Sequence, residues 1–554
     1  MADSTTGPGR FIGPVIAAVI FLGGGVALFF NPASPWLWLL TLVALALLGQ
    51  GLRDLLQHRH TLLRNYPLLA HFRWFFEFLR PFLRQYIVEN DREGRPYNRD
   101  MRSLIYERAK DQVDAKPFGS DLDAYDNEFQ VVTHSMAPRP KPDTEFRVRV
   151  GTGTCARPFD ASLLNVSAMS FGSLSGPAVE ALNLGARRGG FYQDTGEGGI
   201  SPYHVRHGGD LVWEIGSGYF GCRDRDGYFD RGLFREQANR DSVRMIEIKL
   251  SQGAKPGHGG LLPAAKITEE IARTRKIPVA QDCLSPAYHT AFSTPRELLE
   301  FAASLRADSG GKPVGIKLCV GHPWEVFALC KAMLDSGIRV DFIVVDGAEG
   351  GTGAAPEEFS DHVGMPLREG LLLVRNALVG TGLRPDIRLA ASGKVYSAYT
   401  MAANLALGAD WCNAARAFML SLGCVQTKSC HNDLCPTGVA TQNPNRQRGL
   451  VIADKAPRVT NFQRHTLDHL ADLVAAAGLD HPGELLPHHL LHRRSATELI
   501  GLDKMYPFLR SGELLDDPAA TPYQEWWDAA DPDSFKPRHL VGPGHHRSAQ
   551  VTPG

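Results

Sequence analysis

A (β/α)8 barrel behind an N-terminal transmembrane helical hairpin is the α/β architecture the sequence predicts, on three observations. Between Ser162 and Ala417, eight short apolar runs end in glycine-rich turns and are followed by helical stretches. Near-continuous apolar strands alternating with helices imply a parallel sheet covered on both faces. The polar and glycine residues gather in the loops after those runs, where barrels carry their sites. Ahead of the runs, Phe11 to Phe30 is uncharged over twenty residues and Pro35 to Gly51 over seventeen, and each is about long enough for one bilayer crossing.

Taken in order, the first element is that hairpin, helices 11–30 and 35–51 joined by the short linker "NPAS". Arg10 precedes the first span, Arg53, Arg59 and Arg64 follow the second, and the linker carries no charge. Flanking cations stay on the cytoplasmic side, so both ends and the following domain are expected there, in a two-pass protein of the cytoplasmic membrane. A cleaved signal peptide or a buried soluble helix pair are the alternatives. Residues 61–160 form a collar or linker. Its first half, rich in arginine and aromatics with apolar residues three and four apart, suits helices lying on the bilayer surface or packed on the next domain.

The barrel is expected over 161–480, with its strands in "LLNVSAMS", "GGFYQDTGEGG", "DLVWEIGSG", "RMIEIKLSQGA", "KPVGIKLCVG", "VDFIVVDGAEGG", "DIRLAASGK" and "ADWCNAARA". "KIPVAQDC" is a further strand candidate and leaves a doubly wound sheet as the other fold. Residues 481–554 form an extension expected to lack regular structure from about Pro518. A net charge of -1 lacks the positive excess that nucleic-acid binding uses. Nine cysteines are too few and too odd in number for a disulfide scaffold, and indicate reduced thiols in the cytosol.

Three loop features together suggest a flavin mononucleotide site. The last two units, "AASGK" and "NAARA", stand where barrels bind phosphate, with Lys394 and Arg416 adding charge. "GAEGGTGAAP" lets backbone approach a flat or anionic ligand. Lys317 is the only charge in its strand and would face the mouth, where it could stabilise a reduced flavin. "RMIEIKLSQGAKPGHGG" carries Glu247, Lys249, Gln252, Lys255 and His258; two lysines at a strand end suit a carboxylate-bearing substrate. Cys424, Cys430 and Cys435, in C-x5-C-x4-C spacing closed by Pro436, resemble an iron–sulfur run with three thiolates, a 3Fe-4S cluster being one solution. Zinc held by three cysteines and His431 is the competing site.

From Leu164 to Val459 the chain resembles the FMN-binding synthase domain of glutamate synthase: "SAMSFGSLS", "TGEGG", "QGAKPGHGG", "GGTGAAP" and "CVQTKSCHNDLCPTGVATQ" stand in that family's order. The hairpin and "RPYNRDMRSLIYERAK" resemble its membrane-anchored branch. The resemblance implies FMN and a 3Fe-4S cluster on the three cysteines. It implies Ala168, Met169 and Ser170 at the flavin ring, Lys317 at its N1 side, and Gly350, Gly351, Gly393 and Arg416 in the cofactor loops. Glu197, Lys249, Lys255 and Arg275 fall on positions for 2-oxoglutarate or its imine, with Glu197 and Lys317 catalytic. The implied reaction is reductive amination of 2-oxoglutarate with ammonia to glutamate. Electrons would come from an external donor, ferredoxin or a membrane partner, and ammonia would be free or supplied by a separate glutaminase subunit. Departures are His258 and Leu261 in place of an acid and an amide, Asp194 in place of asparagine, and Ile200. They leave open an FMN oxidoreductase for another keto or hydroxy acid, or a membrane-bound electron carrier.

Overall fold

The computed structural model describes residues 8–539 apart from Thr152, Thr154 and Ala280. The chain divides after Asp100 into two compact units.

In the first unit, α1 (Ile12–Phe30) and α2 (Pro35–Leu56) form the hairpin. Pro35 lies in the first turn of α2, where its missing N–H leaves nothing unsatisfied. The helices meet along small residues: Gly24 lies against Thr41, and Ala17 and Ala44 are buried. Their outward Val, Leu, Phe and Trp side chains are exposed, and both helices are long and apolar enough to cross a membrane. At the end of α2 the buried Asp54 carboxylate accepts from the Leu68 N–H at 3.0 Å and from His71 Nε2 at 2.9 Å, tying down the chain that leads into α3 (Ala70–Leu83).

The second unit begins at Met101, within α4 (Arg99–Ala109). Its centre is a closed barrel of eight parallel strands paired in chain order: β1 (Leu164–Val166), β2 (Gln193–Asp194), β3 (Leu211–Ile215), β4 (Val243–Lys249), β5 (Val314–Leu318), β6 (Phe342–Asp346), β7 (Arg388–Ser392) and β8 (Trp411–Ala414). Closure is made by β8 on β1, with Cys412 opposite Leu164. These are the eight expected runs. "KIPVAQDC" adds no barrel strand: Cys283–Leu284 instead pairs antiparallel with Leu261–Leu262 in a separate hairpin. Left-handed Lys276, with φ 57°, and Pro278 break the run before it can extend.

The barrel interior is layered. At the strand starts it is aromatic: Phe342 and Trp411 meet at 6.0 Å, and Gly315 is bare because a Cβ there would run into the Phe342 ring. One layer up it is charged, with Asp194, Glu214, Glu247 and Lys317 all buried.

Among the surrounding helices, α5 (Gly176–Gly189) is capped by Ser175 Oγ, which accepts from Ala178 N at 3.2 Å. It is joined by α6 (Pro323–Ser336), α7 (Leu367–Gly380), α8 (Ala398–Ala406) and α9 (Ile452–Ala476). The C-terminal extension corrects the sequence expectation: Gln524–Ala529 forms a helix, α10, packed on α6. Lys331 of α6 explains it. Its ammonium donates to the Trp527 carbonyl at 2.5 Å and to the Ala530 carbonyl at 3.1 Å, and lies over the Trp527 ring. Farther back, Asn376 Nδ2 of α7 donates to the Pro507 carbonyl and to Tyr523 Oη. The remainder of the expected irregular tail, 540–554, lies outside the described residues.

Candidate active site

The loops after β1, β2, β4, β6, β7 and β8 converge at one end of the barrel, and glycine sets how closely they pack. A Cβ on Gly253, after β4, would overlap the Gly347 carbonyl oxygen, after β6; the Gly253 N–H donates to Asp346 Oδ2 at 2.8 Å. Gly196, after β2, lies on the Met169–Ser170 backbone, and its φ of +64° favours glycine. Gly351 faces Arg416, whose guanidinium donates to the Glu349 carbonyl at 2.5 Å, and the Glu349 carboxylate in turn accepts from Leu367 N at the start of α7. Gly393 and Lys394, with φ 145° and 46°, turn the chain sharply after β7. Thus Ala168, Met169, Ser170, Gly350, Gly351, Gly393, Lys394 and Arg416 stand on strand-end loops of one barrel face.

Inside that face lies the charged layer. Lys317 Nζ is 2.5 Å from Glu214 Oε2 and 3.8 Å from Glu247 Oε1. Carboxylate oxygens of Asp194, Glu214 and Glu247 all lie within 4.8 Å of one another; the cation they surround is the Lys317 ammonium. Burial opposes that charge, but the three carboxylates outweigh it and hold the lysine well above its usual range. Burial, then the charge of Glu214, pushes Asp194 up to about 7, and burial, then Asp194, pushes Glu247 well above the usual carboxylate range. Glu214 and Lys317 therefore form the ion pair, and Asp194 and Glu247 hold a proton between them near neutrality. Glu214 is as conspicuous in the sequence as Lys317, being the only charge in "LVWEI".

A cleft adjoins this layer, lined by Glu197, Ser217, Lys249, Lys255, His258 and Ser285 among others. Lys249 Nζ is 3.2 Å from Glu197 Oε1 and 4.0 Å from Glu214 Oε1. Burial would raise the Glu197 pKa, but Lys249, Arg275 and Lys255 together hold it below the usual value, so the carboxylate is ionised. Burial lowers the pKa of Lys255, whose ammonium donates to the Ala354 carbonyl at 3.1 Å. Arg275 is buried behind the cleft: it donates to the Phe171 carbonyl at 3.0 Å and lies over the Phe220 ring, and its Nε has no hydrogen-bond partner. His258 packs edge-on to Phe359 at 5.0 Å.

The cysteine loop follows β8 and a short helix. Burial pushes the Cys424 thiol up to about 12, opposed by the Gln426 N–H and aided by the sulfurs of Cys430 and Cys435, and burial raises the Cys430 thiol as well. The Gln426 N–H is 3.5 Å from Cys424 Sγ, and Thr437 Oγ1 is 3.5 Å from Cys435 Sγ. Two distant residues brace the loop. Tyr106 Oη donates to the Cys424 carbonyl at 2.6 Å, and the buried Lys266 ammonium donates to the carbonyls of Cys430, Ser173 and Ala440. Sequence reasoning missed Lys266, and the only local signal was its place before the N-cap Thr268.

A family model described as the conserved region in glutamate synthase matches residues 138–480. The glutamate synthase large subunit-like protein YerD of Bacillus subtilis is 36% identical over 532 residues, covering 89% of this chain and 98% of that protein. The archaeal glutamate synthase (NADPH) of Methanocaldococcus jannaschii is 35% identical over 316 residues, 57% of this chain and 59% of that protein, so the match to it spans under two-thirds of its length. Among solved structures, a mandelate oxidase variant with a monooxide FMN adduct aligns at 17% identity and TM-score 0.38, covering 71% of this chain and 90% of that one, which is too remote to bear on this chain.

Proposed function

The chain belongs to the glutamate synthase family, and from that premise we propose that it reductively aminates 2-oxoglutarate to glutamate with ammonia that is free or supplied by a separate glutaminase subunit. The carrying observation is the cleft in which ionised Glu197 stands between Lys249 and Lys255, one carboxylate between two ammoniums.

The loops suit FMN, and the observation that supports this is the bare glycine at 351 beside Arg416, together with a buried lysine at the centre of the mouth. Ala168, Met169, Ser170, Gly350, Gly351, Gly393, Lys394 and Arg416 would hold it. The donor set of three cysteines in one loop, with the Gln426 N–H near Cys424 Sγ and the Thr437 hydroxyl near Cys435 Sγ, suits an iron–sulfur cluster of the 3Fe-4S type on Cys424, Cys430 and Cys435. When bound, FMN supplies two-electron reduction and the cluster a one-electron path from an external donor.

The chain's own residues do the rest. Lys249 and Lys255 bind the two substrate carboxylates, and Arg275 keeps Glu197 ionised from behind. A Glu197 oxygen takes a proton from ammonium, freeing the nitrogen to attack the 2-oxo carbon, and returns it to the hydroxyl that leaves as water. Lys317, fixed by Glu214, keeps a positive charge where negative charge develops. Two N-terminal helices long and apolar enough to cross a membrane support a membrane-anchored reading, with the bilayer as one partner and the electron donor another.

The test is anaerobic. Protein purified in detergent is reduced with dithionite and mixed with 2-oxoglutarate and ammonium, and the flavin absorbance and glutamate are followed. Reoxidation with glutamate formed, both lost in Lys255→Ala, supports the proposal; no reoxidation with either the pair alone or an added glutaminase overturns the substrate. A second reading, a different 2-oxo acid, rests on His258 against Phe359 at the cleft wall, and it predicts reoxidation by another 2-oxo acid in the same assay.

A further inference from the structure

A second cavity lies at the opposite end of the barrel, around the N-terminal ends of β7, β8 and β1. Its volume is about 260 Å³. Leu163, Leu405, Leu485, Phe508 and other apolar residues make most of its wall, while Arg375, Arg384 and Asp410 supply the charge. Arg384 is spoken for: its Nη2 donates to Asp410 Oδ2 at 2.8 Å and to the Gly408 carbonyl. Asp410 Oδ2 also accepts from Leu389 N at 2.6 Å, so this carboxylate is already used twice.

Arg375 is different. Its Nη1 donates to Asn376 Oδ1 at 2.7 Å and to the Leu509 carbonyl at 3.3 Å, and its guanidinium lies 5.1 Å from the Phe508 ring centroid. Among the described residues no carboxylate pairs with it. Two guanidiniums therefore line one cavity with a single carboxylate. Burial, and then the charge of Arg384, hold the Arg375 pKa below its usual value, the strain an anion would relieve. An arginine with donors left over, set in an apolar wall, is the arrangement that recognises an anionic head on an apolar body.

The geometry points to a binding site here for a small organic anion, one carboxylate or phosphate on an apolar body, held by Arg375. This site shares no residue with the cleft of Glu197, Lys249 and Lys255, so it stands or falls apart from the proposed reaction.

The test uses the full chain in detergent with phenyl phosphate, phenylacetate and inorganic phosphate as probes, by calorimetric titration and thermal shift. At least one aromatic anion is expected to bind and raise the melting temperature, and inorganic phosphate, lacking the apolar body, to bind about tenfold more weakly or worse. Arg375→Gln is expected to weaken the aromatic anion by about tenfold or more, the scale of a lost charged hydrogen bond. Leu405→Trp, which fills the cavity and spares both arginines, is expected to abolish binding, and Lys255→Ala, in the other cleft, to leave it unchanged. No binding by either aromatic anion, binding unaffected by both Arg375→Gln and Leu405→Trp, or binding lost in Lys255→Ala would each overturn the proposal.

Discussion

Asp194 is a buried carboxyl whose titration is moved far from its ordinary range. Its carboxyl is buried within the barrel and raised from 3.8 to about 7, first by burial and then by Glu214. A folded-state pKa above the unfolded one means the native state binds more protons between about pH 4 and 7, so this group's contribution falls as pH rises through that window. Asp194→Asn removes the titration and keeps an oxygen to accept the Gly196 N–H, which donates at 2.9 Å. The variant's stability relative to the natural chain is expected to grow from pH 5 to pH 8, by at least about 1.4 kcal/mol, one unit's worth; urea melts at the two pH values measure it, and a constant difference would contradict the assignment. Single residues were legible in the sequence where chemistry was locally anomalous. Lys317 was one, alone in an apolar strand, and Asp194 stood out against a resembling family. Glu214 obeyed the same rule. Lys266 did not, because its reason is three carbonyls up to 174 positions away.

At the scale of elements, the loop after β4 and the loop after β6 are in contact at a bare glycine. Gly253→Ala would push a methyl into the Gly347 carbonyl, and the expected cost is about 1–3 kcal/mol of stability together with weaker flavin retention. Thermal melts and the flavin content of the purified variant test this. The cysteine loop makes a second expectation: Cys430→Ala should lose most of the iron while the far-ultraviolet circular dichroism stays that of a folded barrel, and full iron content would remove Cys430 from the ligand set. Seven of the eight barrel strands were readable because each is a short, largely apolar and buried run, a signal carried by composition; the two-residue Gln193–Asp194 strand was legible only through the apolar Phe191 and Tyr192 before it and the glycine turn after it. The 261–284 hairpin and α10 were not. Two-residue strands carry no period, and α10 owes its place to Lys331, nearly two hundred residues earlier.

For the whole molecule, the family match begins at Pro138, but the folded unit begins earlier. In α4, Tyr106 reaches the Cys424 carbonyl, and buried Arg108 joins Asp114 at 2.9 Å and Thr466 of α9. A chain starting at Arg99 is therefore expected to purify without detergent and keep both chromophores, whereas one starting at Pro138 should melt lower by more than about 2 kcal/mol and bind less iron. Absorbance, iron analysis and melting of the two truncations decide it. That same bracing fixes an order in time. Tyr106 precedes Cys424 by 318 positions and Lys266 precedes Cys430 by 164, and at roughly 5–20 residues per second a ribosome separates them by seconds to about a minute. The residues that brace the cysteine loop are therefore made before its thiols, and the eight barrel strands precede the thiols too, so the loop's supports are already synthesised when Cys424, Cys430 and Cys435 are added.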